Sequence, residues 1–246
     1  MASARASRLI DVNNLRVACS SCSLRELCLP AGLDAGEMER VDRLVTHRRR
    51  LRRGAGLYRA GEPLSGLFAI RSGFMKSCVL HDDGREQVAG FHMAGDLLGL
   101  DAIGSGNHTC DTVALEDTEV CEIPFANLEQ LSREMPSLQH QLHRIMSREI
   151  VRDHGVMLLL GSMSAGERLA AFLLNLSQRF AARGYSPSEF RLRMTREEMG
   201  SYLGLKLETV SRTLSSFHER GLIEVRQKQV RIVDFPGLKT LLEQKR

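Results

Sequence analysis

The 246-residue sequence has no run of the roughly 18 apolar residues that a membrane-spanning helix requires. Its longest apolar stretch near the middle is Val156 to Leu160, so a helical membrane span is excluded. The N-terminus, MASARASRLIDVNN, has Arg5, Arg8 and Asp11 but no apolar core, and does not read as a secretory signal. A cytoplasmic location is therefore expected. There the six cysteines should be free thiols or metal ligands rather than a disulfide scaffold. Paired carboxylates, a nucleophile–base motif and a phosphate loop are also missing, so no enzymatic chemistry is expected.

At 43% hydrophobic and 26% charged residues, the composition is that of a soluble folded protein. At roughly 150 residues per domain the length predicts two domains. The net charge of +4 is unevenly spread. Residues 1–164 carry 19 Lys/Arg against 21 Asp/Glu (−2), and residues 165–246 carry 15 against 9 (+6). The basic C-terminal third is where a nucleic-acid contact is sought.

The patterning divides the chain at about residues 32, 134 and 162. Residues 1–32 have little apolar periodicity and hold three cysteines. Residues 33–134 alternate glycines with short β-type runs, such as Leu67–Ile70, Cys78–Leu80 and Val120–Ile123, which predicts a β-barrel or sandwich. His81-Asp82-Asp83-Gly84 reads as a hairpin turn, and the basic run from His47 to Arg53 as a solvated strand edge. After Met135-Pro136 the period becomes helical to Leu160. Met146, Ile150, Asp153, Met157 and Leu160 are spaced alternately by four and three, as in a coiled-coil seam, and predict a dimer interface.

The C-terminal segment, 163–246, opens with a helix from Glu167, then a short strand at Phe190–Leu192. Thr195-Arg196-Glu197-Glu198 is a capping box that opens a further helix, which stops at Gly204. A second helix begins at Leu207, giving helix-turn-helix spacing with Met199, Leu203, Val210 and Leu214 facing a shared core. Glu208, Thr209, Ser211 and Arg212 are left outward near its start, where a recognition helix meets base edges. Arg212 can fork onto guanine and Glu208 can accept from cytosine. Lys206, Thr195 and Thr209 suit phosphate contacts, which position without specifying. Runs at Leu222–Val225 and Val230–Val233 predict a β-hairpin wing.

Cys19, Cys22 and Cys28 form C-x2-C-x5-C, a density that points to soft-metal coordination with a fourth ligand from Cys78, Cys110 or Cys121. The spacing admits an iron–sulfur cluster or zinc, with redox-active free thiols third.

Together these residues resemble the fumarate and nitrate reduction regulator family, within the cyclic-AMP-receptor superfamily. The likeness is dense at Gly90–Leu97, Cys121–Phe125, Glu167–Phe172, Tyr202–Leu205 and Glu208–Arg212. It implies an α+β chain: a cysteine segment (1–32), a jelly-roll β-roll of the cyclic-nucleotide-binding kind serving as sensor (33–134), a dimerisation helix (135–162) and a winged helix-turn-helix (163–246). It also implies an oxygen-labile [4Fe–4S] cluster on Cys19, Cys22, Cys28 and Cys121, leaving Cys78 and Cys110 as buried thiols. A homodimer would read a TTGAT-N4-ATCAA inverted repeat with Glu208, Ser211 and Arg212, and RNA polymerase would be a partner. The family's hairpin-loop polymerase contact is not carried over, because Arg85 stands where relatives often have an acid. No arginine occurs between Arg85 and Arg133 to pair a cyclic phosphate, so no cyclic nucleotide is expected. Absent oxygen sensing, the alternative is a zinc-stabilised constitutive repressor.

Overall fold

This computed structural model describes residues 19–45, 47–80 and 84–243. The N-terminal stretch before Cys19 and most of the expected hairpin turn (His81, Asp82, Asp83) lie outside the described residues. The first helix, α1 (Ala35–Asp42), falls in a stretch assigned to the roll. Its signal is an unread capping box: the Asp34 side chain accepts from the Glu37 amide while Glu37 accepts from the Asp34 amide.

Eight strands follow: β1 (His47–Leu51), β2 (Gly56–Tyr58), β3 (Gly66–Ser72), β4 (Phe74–Leu80), β5 (Glu86–Met93), β6 (Leu97–Leu98), β7 (Asp111–Ala114) and β8 (Thr118–Pro124). They form two antiparallel sheets, ordered β1-β8-β3-β6 and β2-β7-β4-β5, which is a jelly roll. Leu57, Phe68, Ile70, Met75 and Val120 fill the space between the sheets. The basic run from His47 forms β1, the edge strand of its sheet, with Arg49 and Arg50 exposed.

Helix α2 (Phe125–Glu134) continues directly from β8 and was not expected. Helix α3 (Pro136–Ser162) runs 27 residues, with Pro136 in the first turn, where a missing amide costs no hydrogen bond. It buries Leu138, Gln141, Ile145 and Leu159. Ile150, Val151, Met157 and Leu158 stay 54%, 65%, 65% and 68% exposed.

A second unread capping box, Ser164 with Glu167, opens α4 (Ala165–Ala181). Beyond it lie β9 (Glu189–Arg191), α5 (Arg196–Leu203), α6 (Leu207–Glu219), β10 (Ile223–Arg226), β11 (Gln229–Ile232) and α7 (Phe235–Glu243). The strands form one sheet, β10-β11-β9, so the expected wing is present, and α7 is an addition. Thr195 caps α5 as its sequence predicts, and Gly204 ends it at φ 63°. Met199, Leu203, Val210 and Leu214 are all buried.

The C-terminal core does not stop at the domain boundary. Phe74, Val88, Phe91 and Met93 of the roll belong to it. The Phe91 ring lies 6.0 Å from that of Phe172 in α4 and 5.2 Å from that of Tyr202 in α5.

Gly200 shows how tightly the helix-turn-helix is closed. A Cβ there would lie 2.5 Å from the Leu205 carbonyl oxygen, in the turn rather than on the second helix. Gly200→Ala should cost about 1–3 kcal/mol, the usual penalty for overpacking. Urea denaturation checks this, and an unchanged midpoint would show that the turn can give way.

Candidate functional site

Cys19, Cys22, Cys28 and Cys121 line one cavity of about 30 Å³, with Leu29, Val41 and Ile123 among its apolar walls and Arg25 and Arg71 beside it. The fourth cysteine is chosen by strand register. Cys121 pairs with Arg48 on one side and Ala69 on the other, and its face of β8 looks out of the roll toward the cysteine loop. Cys78 and Cys110 are buried elsewhere, within the roll. Among the described residues no three His, Cys, Asp or Glu side chains are gathered closely enough to hold a single metal ion.

The loop is held from three sides. Asp42, in α1, accepts from the Cys19 amide, from the Ser20 amide at 3.2 Å and from the Ser20 hydroxyl at 2.8 Å. Gln141 of α3 donates to the Cys28 carbonyl at 3.4 Å, and Leu29 is buried among Leu138, Ile145 and their neighbours. Burial pushes the thiols of Cys19 and Cys28 up to about 12. It also raises Cys121, against the opposing pull of Arg48 and Arg71. Without a metal these thiols are neutral; a thiolate-binding metal would draw off their protons and its charge would satisfy the buried sulfurs. The donor set and apolar wall thus fit an iron–sulfur cluster, which takes four thiolates.

The interior of the roll is a poorer fit to a cyclic nucleotide. Tyr58 stacks on His108 with ring centroids 3.6 Å apart, and its hydroxyl accepts from the Gly99 amide at 3.1 Å. The Ser77 hydroxyl lies 2.9 Å from His92 Nε2 and 3.3 Å from the Thr112 hydroxyl, so these three atoms are engaged with one another. No arginine between Arg85 and Arg133 is present to meet a cyclic phosphate.

On the helix-turn-helix, Thr195 is exposed at the N-cap of α5, and Lys206, Glu208 and Arg212 are exposed around the start of α6. Thr209 and Ser211 are half-buried beside them. The Ser211 hydroxyl accepts from Arg196, at 3.2 Å, which brings an overlooked arginine to this face. Arg168 was overlooked in this role too. Its guanidinium donates to the carbonyls of Leu160, Met163 and Leu203 at 2.8, 2.8 and 3.0 Å, tying the end of α3 to the turn of the helix-turn-helix. Glu198 closes its capping box and also pairs with Lys76 of β4 at 3.2 Å.

Of the seam residues, Ile150, Asp153, Met157 and Leu160 are exposed on the single chain and Met146 is half-buried. Val151 and Leu158, which the four-three spacing skips, widen the exposed apolar face.

Comparisons with known proteins match two domains of the chain. A cyclic nucleotide-binding domain model matches residues 48–135, and a Crp-like helix-turn-helix domain model matches residues 167–241. The chain is 49% identical to the transcriptional regulatory protein btr of Bordetella pertussis, covering 92% of this chain and 93% of that one. It is 46% identical to the fumarate and nitrate reduction regulatory protein of Escherichia coli K12, over 96% of this chain and 95% of that one. Among solved structures, FixK2 from Bradyrhizobium japonicum superposes with a TM-score of 0.74 at 32% identity, covering 80% of this chain and 98% of that one.

His92 yields a pH prediction. Burial, and then the charge of Arg152, lowers its pKa to about 3, and its Nδ1 has no hydrogen-bond partner among the described residues. Its folded value lies below the unfolded value of about 6.5, so the unfolded state binds the proton more readily. The neutral ring's contribution is complete above pH 6.5 and is lost as pH falls toward 3, by roughly 5 kcal/mol at most. His92→Gln should flatten the fall in stability over that window, measured as urea midpoint against pH. An unchanged slope would exclude His92 as its source.

Proposed function

The chain belongs to the CRP- and FNR-type family of transcription regulators, and on that premise we propose that it senses oxygen through a [4Fe–4S] cluster held by Cys19, Cys22, Cys28 and Cys121. That it regulates transcription and is not an enzyme follows from the family. The observation that carries the finer reading is the convergence of four thiols on one apolar cavity. When bound, the cluster supplies an oxygen-labile cross-link between the cysteine loop and β8.

The rest is done by the chain. Asp42, Gln141 and Leu29 seat the loop against α1 and the N-terminal half of α3. Fixing that half steadies α3, whose outer face carries Met146, Ile150, Asp153, Met157 and Leu160 as the homodimer seam. By two-fold symmetry Asp153 meets its own copy at the same height. That like-charge pair opposes association and leaves the dimer marginal, so a modest bias moves the equilibrium. Losing the cross-link removes the bias and returns weakly binding monomers.

Two recognition helices then place Glu208, Ser211 and Arg212 at base edges of an inverted repeat of the TTGAT-N4-ATCAA type. Thr195, Lys206 and Thr209 contact phosphates. Half-sites one helical turn apart, about 34 Å, require two copies of α6. Bound in the cytoplasm at such sites, the dimer presents its surface to RNA polymerase and activates or represses genes of anaerobic metabolism. Cyclic nucleotide has no part in this reading.

Protein purified without oxygen should contain about four irons and four sulfides per chain, absorb in the visible and elute as a dimer. Air should bleach it and dissociate it. Cys121→Ser should lose the iron, whereas Cys110→Ser keeps it. One zinc per chain, no visible absorption and an oligomer indifferent to air would refute the sensor. Arg212→Ala should weaken binding to the inverted repeat by about 1–3 kcal/mol and relax preference at its guanine. An equal loss on scrambled duplex would make Arg212 a phosphate contact instead.

A further inference from the structure

The turn between β5 and β6 is touched from two directions. From one side comes the cysteine loop: a Cβ built on Gly95 would lie 3.0 Å from Leu27 Cβ, so Leu27 rests on the bare backbone of the turn. From the other side comes the segment just past the end of α4 in the C-terminal domain, with Arg183 Nη2 only 3.9 Å from the same point. Gly95 adopts φ 93°, a conformation that suits glycine, and has no side chain to hold the two elements apart.

The next residue fastens the turn to the C-terminal domain. The Asp96 carboxylate accepts from Arg179 at 2.6 Å on one oxygen and from Arg183 at 2.7 Å on the other. Both arginines also donate to backbone carbonyls of the same segment, Arg179 to Phe91 at 2.9 Å and Arg183 to Ala94 at 2.5 Å. Asp96 further accepts from the Met93 amide at 2.9 Å, which locks the turn itself. Leu27, Gly95, Asp96, Arg179 and Arg183 all line one cleft of about 610 Å³ that separates α3 from α4 over much of their length. Across that cleft the turn is where the cysteine loop and the DNA-reading domain meet.

We infer that the Gly95–Asp96 turn is a second line of communication, passing the position of the cysteine loop directly to α4 within one chain, independently of the dimer seam. Leu27 and Asp96 are its positioning residues. With the loop seated, Leu27 presses the turn into register for the two arginines, and α4 holds the helix-turn-helix in one orientation. With the loop released, the turn loses its backing and the orientation loosens. The inference rests on the cluster reading above and deepens it, since a dimer alone would not present two recognition helices at a fixed spacing.

The test compares the full-length wild type with Leu27→Ala and Asp96→Asn, each purified without oxygen. Iron and sulfide content and the dimer fraction by sedimentation are measured first. Affinity for a labelled TTGAT-N4-ATCAA duplex is then read by fluorescence anisotropy, before and after air. Both variants should retain cluster and dimer, while affinity per loaded dimer falls about tenfold, within the usual range of couplings between sites. Affinity after air should be unchanged. Leu27→Ala keeps Cβ but removes the branch whose Cδ1 lies 3.8 Å from the same point, with no loss of charge or hydrogen bond, and serves if Asp96→Asn fails to fold. Wild-type affinity per loaded dimer in Leu27→Ala overturns the inference, whatever its iron content. So does an equal loss before and after air, the mark of a merely structural role. A wild type without iron and sulfide overturns the underlying reading instead, and is recognised before any variant is compared.

Discussion

Strand β8 is the element on which both the roll and the cysteine site depend, because its register decides what each face receives. Val120 points into the roll, while Cys121 and Ile123 point out toward the loop and the helices packed over it. Side chains alternate along a strand, so a slip of one residue would exchange the two sets. Cys121 would then enter the roll and the loop would face Val120 and Glu122. Pairing with β1 over Thr118–Glu122 and with β3 over Glu119–Pro124 pins the register on both sides of Cys121. The continuation into α2 through Pro124 and Phe125 fixes its end. The position of a single thiol is thus secured by two ladders and a helix.

A different principle joins the two halves of the molecule. Lys76 with Glu198, Arg193 with Glu116, and Asp96 with its two arginines all bridge roll and C-terminal domain. Burying such charges costs more than it returns in many proteins, and an apolar contact would often hold as well. Their value here is in geometry. A pair of guanidiniums on one carboxylate tolerates few relative orientations, whereas the Phe91–Phe172–Tyr202 cluster beside it tolerates many. Asp96 remains ionised for the same reason: burial raises its pKa, but Arg179 and Arg183 more than offset this and hold it below the usual carboxylate range.

What was legible in the sequence was local. The Thr195 capping box, the positive φ of Gly204 and the long helix after Pro136 are written within a few residues of where they act. The boxes at Asp34 and Ser164 were equally local, and looking for them would have found α1 and the true start of α4. The partners that matter to the site were not legible, because each is a long-range event. Asp42 reaches Cys19 across 23 residues, Gln141 reaches Cys28 across 113, and Glu198 meets Lys76 through the docking of two domains. Spacing alone left Cys78, Cys110 and Cys121 equivalent as a fourth ligand; the resemblance singles out Cys121, and in the structure Cys121 faces the loop while Cys78 and Cys110 are buried in the roll. Val151 and Leu158 escaped for the opposite reason. They sit outside the four-three seam, and their exposure becomes visible only once the buried side of α3 is known.

The anchorage of the cysteine loop is modest compared with what surrounds it. The hydrogen bonds of Ser20 to Asp42 are solvent-exposed, and such bonds contribute about 1 kcal/mol each. Leu29 and the adjoining Pro30 are the loop's buried apolar side chains among the described residues. Against this stands the desolvation of the Cys19 and Cys28 thiols, which favours their neutral forms and offers the loop little attraction of its own. A segment so held lies near the low end of local stability, where opening is easy. The ladders that hold Cys121 are formed by β1, β3 and β8 without the loop, so the loop is the part of the site whose position a bound ligand would decide.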